Sequence, residues 1–116
     1  MPNQEYLAVW NTYLSAWSDI PAEERATRLE GCVVDDCLYT DPTDQRHGRH
    51  DLIARIELSK QKYPGSHFEN DKFLHHHDQG LCHWTMYDGE GKVLAHGASY
   101  SRIAEDGRLK QMTGFF

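Results

Sequence analysis

The 116-residue sequence has no apolar run near the roughly 18 residues that a membrane span needs. It also has no basic, apolar, small-residue leader. Both absences point to a cytoplasmic protein that does not enter a membrane. There is no basic run either, and 12 Lys and Arg stand against 18 Asp and Glu, a net charge of −6. That balance argues against a nucleic-acid partner, because phosphate contacts need a basic surface. Cysteine is sparse: the three, Cys32, Cys37 and Cys82, cannot all pair within one chain, and none forms a Cys-x-x-Cys. Reduced thiols are the expectation. Cys82 has His83 beside it in sequence, but strand neighbours face opposite ways, so no activated thiol is expected there. Repeats, linkers and low-complexity segments are missing, and the length suits one domain over residues 1–116.

What is present is a clear change of period along the chain. Leu7, Trp10, Leu14 and Trp17 recur at spacings of three, four and three, which predicts an amphipathic helix over residues 4–18, widened by Tyr6 and Tyr13. Pro21 suits the start of a second helix, with Glu23 and Glu24 near its positive end; it runs through Leu29 towards Val33. Asp35-Asp36 reads as a break. A short strand then ends at Leu38-Tyr39-Thr40-Asp41-Pro42, residues 42–48 form a polar loop, and a third helix runs from about His50 to Tyr63 with Leu52, Ile53, Ile56 and Leu58 inward. Pro64-Gly65 stops it. Four long strands follow, over residues 66–77, 81–88, 92–104 and 108–116, separated by Gly-containing turns as in an antiparallel meander. Helices followed by strands make an α+β fold. A curled sheet closed by three helices forms a cone with an internal pocket.

Asp41 is the residue with chemistry to offer. Pro42 has no N–H, so it ends the strand and holds Asp41 extended. Alternation puts Tyr39 and Asp41 on one face, Leu38 and Thr40 on the other. A carboxylate there is a general base, or it only opens a turn, as Asp-Pro often does.

This layout, with Tyr13, Tyr39-Thr40-Asp41-Pro42, Gly48, and Asp106-Gly107-Arg108-Leu109 through Met112 to Phe116, resembles the ketosteroid isomerase and SnoaL-like branch of the nuclear transport factor 2-like superfamily. The resemblance spans nearly the whole chain. It implies a small-molecule pocket and proton transfer next to a carbonyl, with an Asp as base and hydroxyl or acid donors on the enolate oxygen. Carried over residue by residue, the base falls on Asp41, one oxyanion donor on Tyr13, and the second on Ser99, where the isomerases have Asp. Losing such a donor typically costs about 10²–10³ in rate, so steroid isomerisation itself does not follow. Burial is expected to raise the Asp41 pKa towards neutrality.

Counted from the same anchors, the pocket is lined by Cys82, Trp84 and Met86, by Ala95, Gly97 and Ser99, and by Met112, Gly114 and Phe116. Trp10 and Trp17 join from the first helix. The small residues leave room and the large ones give an apolar lining. The eight histidines include His75-His76-His77, with His83 and His96 expected beside that run. Their parity faces away from the pocket, so the expectation is a polar face where a second copy packs, with Thr85, Tyr87, Tyr100 and Arg102, rather than a zinc site. One of the triplet, together with His47, can still reach the pocket, where a His–Asp pair would allow dehydratase (lyase) or hydrolase chemistry. No cofactor is expected. Three functions stay open: an isomerase or cyclase using Asp41, a non-catalytic holder of an apolar small molecule, and a dimeric scaffold.

Overall fold

The computed structural model describes residues 3–116; Met1 and Pro2, part of the expected 1–116 unit, lie outside the described residues. In chain order the elements are α1 (Asn3–Ser15), α2 (Ala22–Cys32), β1 (Val33–Asp41), β2 (Asp44–His47), α3 (Arg49–Lys62), β3 (His67–His76), β4 (Gln79–Tyr87), β5 (Val93–Ile103) and β6 (Leu109–Phe115). The strands form one six-stranded sheet in the order β2-β1-β6-β5-β4-β3. The three helices pack on its concave face, giving the expected α+β cone. No helix among the described residues is long and apolar enough to cross a membrane.

Three local expectations need correction. The sheet is mixed: the β3–β6 meander is antiparallel, but β1 runs parallel to β6, with Tyr39 opposite Met112 and Thr40 opposite Thr113. The segment after Pro42 is a strand rather than a loop, because Pro42 and Thr43 make a tight turn and Asp44–His47 folds back on β1 with Asp41 opposite Asp44. Asp35 and Asp36 do not break the chain; they are exposed within β1, where the pairing with β6 slips between Val33 and Leu38. Such a slip lets an exposed acidic pair sit in a strand whose other end is buried.

The helix ends also have physical causes. The end of α1 tightens beyond Ser15 into i→i+3 turns, with Trp17 N–H donating to the Leu14 carbonyl at 3.1 Å. Arg25 of α2, itself buried, caps this end: its Nε donates to the Ala16 carbonyl at 2.8 Å and Nη2 to the Ser18 carbonyl at 3.1 Å. Before α3, Gly48 takes φ +85°, which an L side chain rarely adopts, and its N–H bonds the Cys37 carbonyl at 2.7 Å. That contact ties the start of α3 to β1. The inward stripe of α3 is Leu52, Ile56 and Ser59, whereas Leu58, expected inside, is 51% exposed.

The core fills one half of the cone. Tyr6 and Trp10 of α1 pack on Phe73, with ring centroids 5.2 and 6.3 Å apart. The Tyr6 hydroxyl bonds Ser101 Oγ at 2.8 Å. The other half stays open. Gly97 sits against the Trp84 indole: a Cβ there would lie 2.3 Å from Trp84 Cζ2. Gly97→Ala is therefore expected to destabilise by about 1–3 kcal/mol through overpacking. Gly31→Ala, with nothing within 4 Å of the new Cβ and a helical backbone, is expected to stabilise by about 0.5–1 kcal/mol. Urea unfolding midpoints of the two variants check both signs.

Candidate functional site

The open half of the cone holds a cavity of about 210 Å³. Leu14 of α1 and Trp17 just beyond its end wall it, with Phe68 from β3, Trp84 and Met86 from β4, and Met112 and Phe116 from the last strand and its end. Trp84 packs edge-on against Phe68 at 5.1 Å and Phe116 at 6.0 Å. The polar groups of the lining are the hydroxyls of Tyr13, Tyr39, Ser59, Tyr63 and Ser99, and one charged group, Arg55.

Most residues expected at the pocket are there: Tyr13, Trp17, Trp84, Met86, Ala95, Ser99, Met112, Gly114 and Phe116 all line it. Three are not. Trp10 lies one helical turn too deep, packed against Tyr13 at 5.0 Å and fully buried. Cys82 shares that deeper half, its Sγ 3.4 Å from Asn70 Oδ1, and burial pushes its thiol up to about 11. Gly97 faces inward, but the Trp84 ring occupies the space that its missing side chain leaves.

The expected site residues divide by role. Ser99 Oγ accepts the Trp84 indole N–H at 3.0 Å, so its own proton stays available to donate. Burial drives the Tyr13 hydroxyl far above its ordinary pKa, so it remains a protonated donor at the wall.

Asp41 differs from expectation in both placement and pKa. Its side chain has no exposed surface. Oδ2 accepts the Tyr39 hydroxyl at 2.6 Å and Arg55 Nε at 3.1 Å, with Arg55 Nη2 at 2.8 Å. Oδ1 accepts the Thr43 N–H at 2.8 Å and the Thr43 hydroxyl at 2.9 Å. The last two bonds are the turn-opening role of an Asp-Pro pair. Burial alone pushes the Asp41 carboxyl up and is the largest single influence. The Tyr39 and Thr43 hydrogen bonds and the Arg55 charge together outweigh it, and the carboxyl ends below its usual range. The raised pKa expected from burial is thereby reversed, because the carboxylate is surrounded by donors rather than by hydrocarbon.

Arg55 went unrecognised in the sequence, yet it had a signal. It lies three residues after Leu52 and four before Ser59, on the inward stripe of α3, where a cation needs a carboxylate. Its guanidinium lies 5.9 Å over the Trp17 ring, and its Nε is 3.9 Å from a second carboxylate, Asp44.

The histidines form no lateral row. The β3–β4 turn begins at the last of the triplet, His77, so His75 pairs with Gly80, whereas His83 lies opposite Lys72 and Ala98, and His96 opposite Thr85. No group of three or more potential metal ligands converges among the described residues.

The buried Asp41–Arg55 pair makes stability dependent on acid. A folded pKa below the unfolded value of about 3.9 gives stability that is present at neutral pH and lost as pH falls below about 4. Asp41→Ala is expected to cost about 3–5 kcal/mol by leaving Arg55 buried and unpaired. The cost is expected to shrink when Arg55→Met is added, and the acid-dependent part to disappear. Urea denaturation at pH 7 and pH 3.5 reads all three effects.

The comparisons with known proteins agree with this geometry. A family model described as SnoaL-like domain matches residues 4–112. No curated protein matches the chain in sequence. Among solved structures, a SnoaL-like family protein from Agrobacterium tumefaciens strain C58 superposes with TM-score 0.90 at 26% identity over 97% of each chain. A protein with a ketosteroid isomerase-like fold from Catenulispora acidiphila, solved in complex with trimethylamine, gives 0.76 at 12% identity over 93% of this chain and 84% of that one. An NTF2-like protein from Cytophaga hutchinsonii gives 0.71 at 11% identity over 96% and 88%. A cone of three helices on a curved sheet, an apolar cavity at one end and a family match over nearly the full length lead to one assignment: the chain belongs to the SnoaL-like family.

Proposed function

We propose that this protein holds a small, mostly apolar molecule in the open half of its cone, with an oxygen of that molecule turned towards Arg55 and the Tyr13 and Ser99 hydroxyls. The observation that carries this reading is the cavity itself: an aromatic lining with a few polar groups, Arg55 and hydroxyls, in its wall. About 210 Å³ is room for roughly seven waters at ~30 Å³ each, so the ligand is nearer one substituted ring than a steroid.

The condition of Asp41 favours holding over proton abstraction. A base must offer a lone pair to a C–H bond and gain a proton there. Both Asp41 oxygens are already occupied by donors, and its pKa is lowered. In this reading Asp41 is a positioning residue for Tyr39 and Arg55. The isomerase or cyclase reading, with Asp41 as base, requires the Tyr39 or Arg55 contact to open first. Ligand binding is expected to survive in Asp41→Asn within about tenfold, read by calorimetry with any ligand found in a small-molecule screen. Turnover of an enolisable ketone that vanishes in a folded Asp41→Asn variant would instead make Asp41 the base.

We also propose that a second copy packs on the outer face of the sheet. Leu74 and Leu81 are directly paired there and exposed, and Phe115 is exposed on the same face. Light scattering is expected to give twice the chain mass, and Leu81→Glu to give the single mass; a wild-type monomer at high concentration would rule this out.

A further inference from the structure

We propose that the ligand is a carboxylic acid: an apolar body in the aromatic half of the cavity, with its carboxylate received end-on by Arg55. The proposal rests on the small-molecule reading above and names the ligand's class. A guanidinium has two edges that can each take a pair of acceptors. The edge formed by Nε and Nη2 is used within the protein, both nitrogens meeting the single oxygen Oδ2 of Asp41 at 3.1 and 2.8 Å. Asp44 stands off on that same side, 3.9 Å from Nε. Nη1 has no acceptor among the described residues, and Arg55 lines the cavity with 16% of its side chain exposed. The end edge, Nη1 with the second proton of Nη2, is thus left with its donors unused on a side chain that lines the cavity. A planar pair of N–H groups is the geometry that a carboxylate meets with both oxygens.

Charge on the cavity wall supports the same assignment. Arg55 is the one charged residue among those lining the cavity, and the others are apolar or carry neutral hydroxyls. The Asp41 carboxylate, which would repel an anion, is wholly covered. A ligand carboxylate at the end edge is closer to the guanidinium than to Asp41, so attraction exceeds repulsion at short range. Asp41 serves the site in a second way. A lone guanidinium against Trp17 would carry an uncompensated desolvation cost, and one counter-ion on its far edge removes that cost while fixing which edge points inward. Tyr13 and Ser99 are left as neutral donors, able to hydrogen-bond the same head group or a neighbouring oxygen.

The test compares 4-ethylbenzoate with its primary amide, 4-ethylbenzamide, by titration calorimetry at pH 7, with the neutral, similarly sized 4-ethyltoluene as a report on the cavity alone. The acid is expected to bind at least about tenfold more tightly than the amide. Arg55→Met is expected to abolish that preference, acid binding falling to the level of amide binding, while 4-ethyltoluene affinity stays within about threefold. Because Arg55→Met strands the Asp41 charge, the Arg55→Met/Asp41→Asn double variant is measured beside it, with the same expectation. Arg55→Lys, which keeps the charge and loses the fork, is expected to keep only part of the preference. Acid binding no tighter than amide binding, or absent while 4-ethyltoluene binds, overturns the carboxylate assignment and leaves the small-molecule reading standing. If acid, amide and 4-ethyltoluene all fail to bind the folded wild type, both fall.

Discussion

Everything distinctive about this cone meets at one buried carboxylate. Asp41 ends β1, closes the turn into β2 through Thr43, receives the phenol of Tyr39 and holds Arg55 of α3. Three segments that share no regular hydrogen bonding with one another except the β1–β2 ladder are thus fixed at a single point. An ion pair with so many partners is costly to desolvate and more costly to break on one side. It therefore gives this end of the molecule a definite geometry, which apolar packing alone would leave looser. The cavity can stay open beside it because its polar wall does not depend on side chains meeting across the gap.

The two halves of the cone show the opposite solution. Tyr6, Trp10, Phe73 and Cys82 fill one half with hydrocarbon and sulfur, sealed by the Tyr6–Ser101 hydrogen bond. In the other half large rings lean against one another around a space, Trp84 being held by Ser99 below and by the missing side chain of Gly97 beside it. A cavity in a core forfeits dispersion contacts. Its survival here depends on rings stiff enough not to collapse into it.

How far the chain could be read from its residues varied with the range of the interaction. The helix stripe Leu7, Trp10, Leu14 and Trp17, the four long strands and the α+β order were legible because periodicity and turn residues are local signals. Trp84, Ser99, Met112 and Phe116 were placed on the pocket wall because strand parity holds once an anchor is right, and Tyr13 because the resemblance carried it over. What failed was non-local or chemical. Whether Trp10 or Trp17 meets the open half depends on how deep α1 sits, which its own sequence does not encode. Gly97 reads as empty space until one knows that Trp84 leans into it. The parallel pairing of β1 with β6 has no signature in either strand. Nor could the carboxylate's neighbours be counted in advance, so burial alone gave the wrong direction for its pKa. Arg55 was within reach: a cation on an inward helical stripe calls for a partner acid, and Asp41 was the buried one in prospect.

The parallel contact of β1 with β6 also bears on how the molecule is made. It joins the strand that opens the sheet in sequence to the strand that closes it, so the loop it seals is long and entropically expensive to shut. The β3–β6 meander and the β1–β2 hairpin have only near neighbours to find, and such contacts form early. The cavity wall draws on both pieces, Tyr39 from one and Met112 from the other, and these two residues face each other across the late seam. A molecule bound there would bridge two pieces that fold separately, and it would slow their parting as much as it fills a hole.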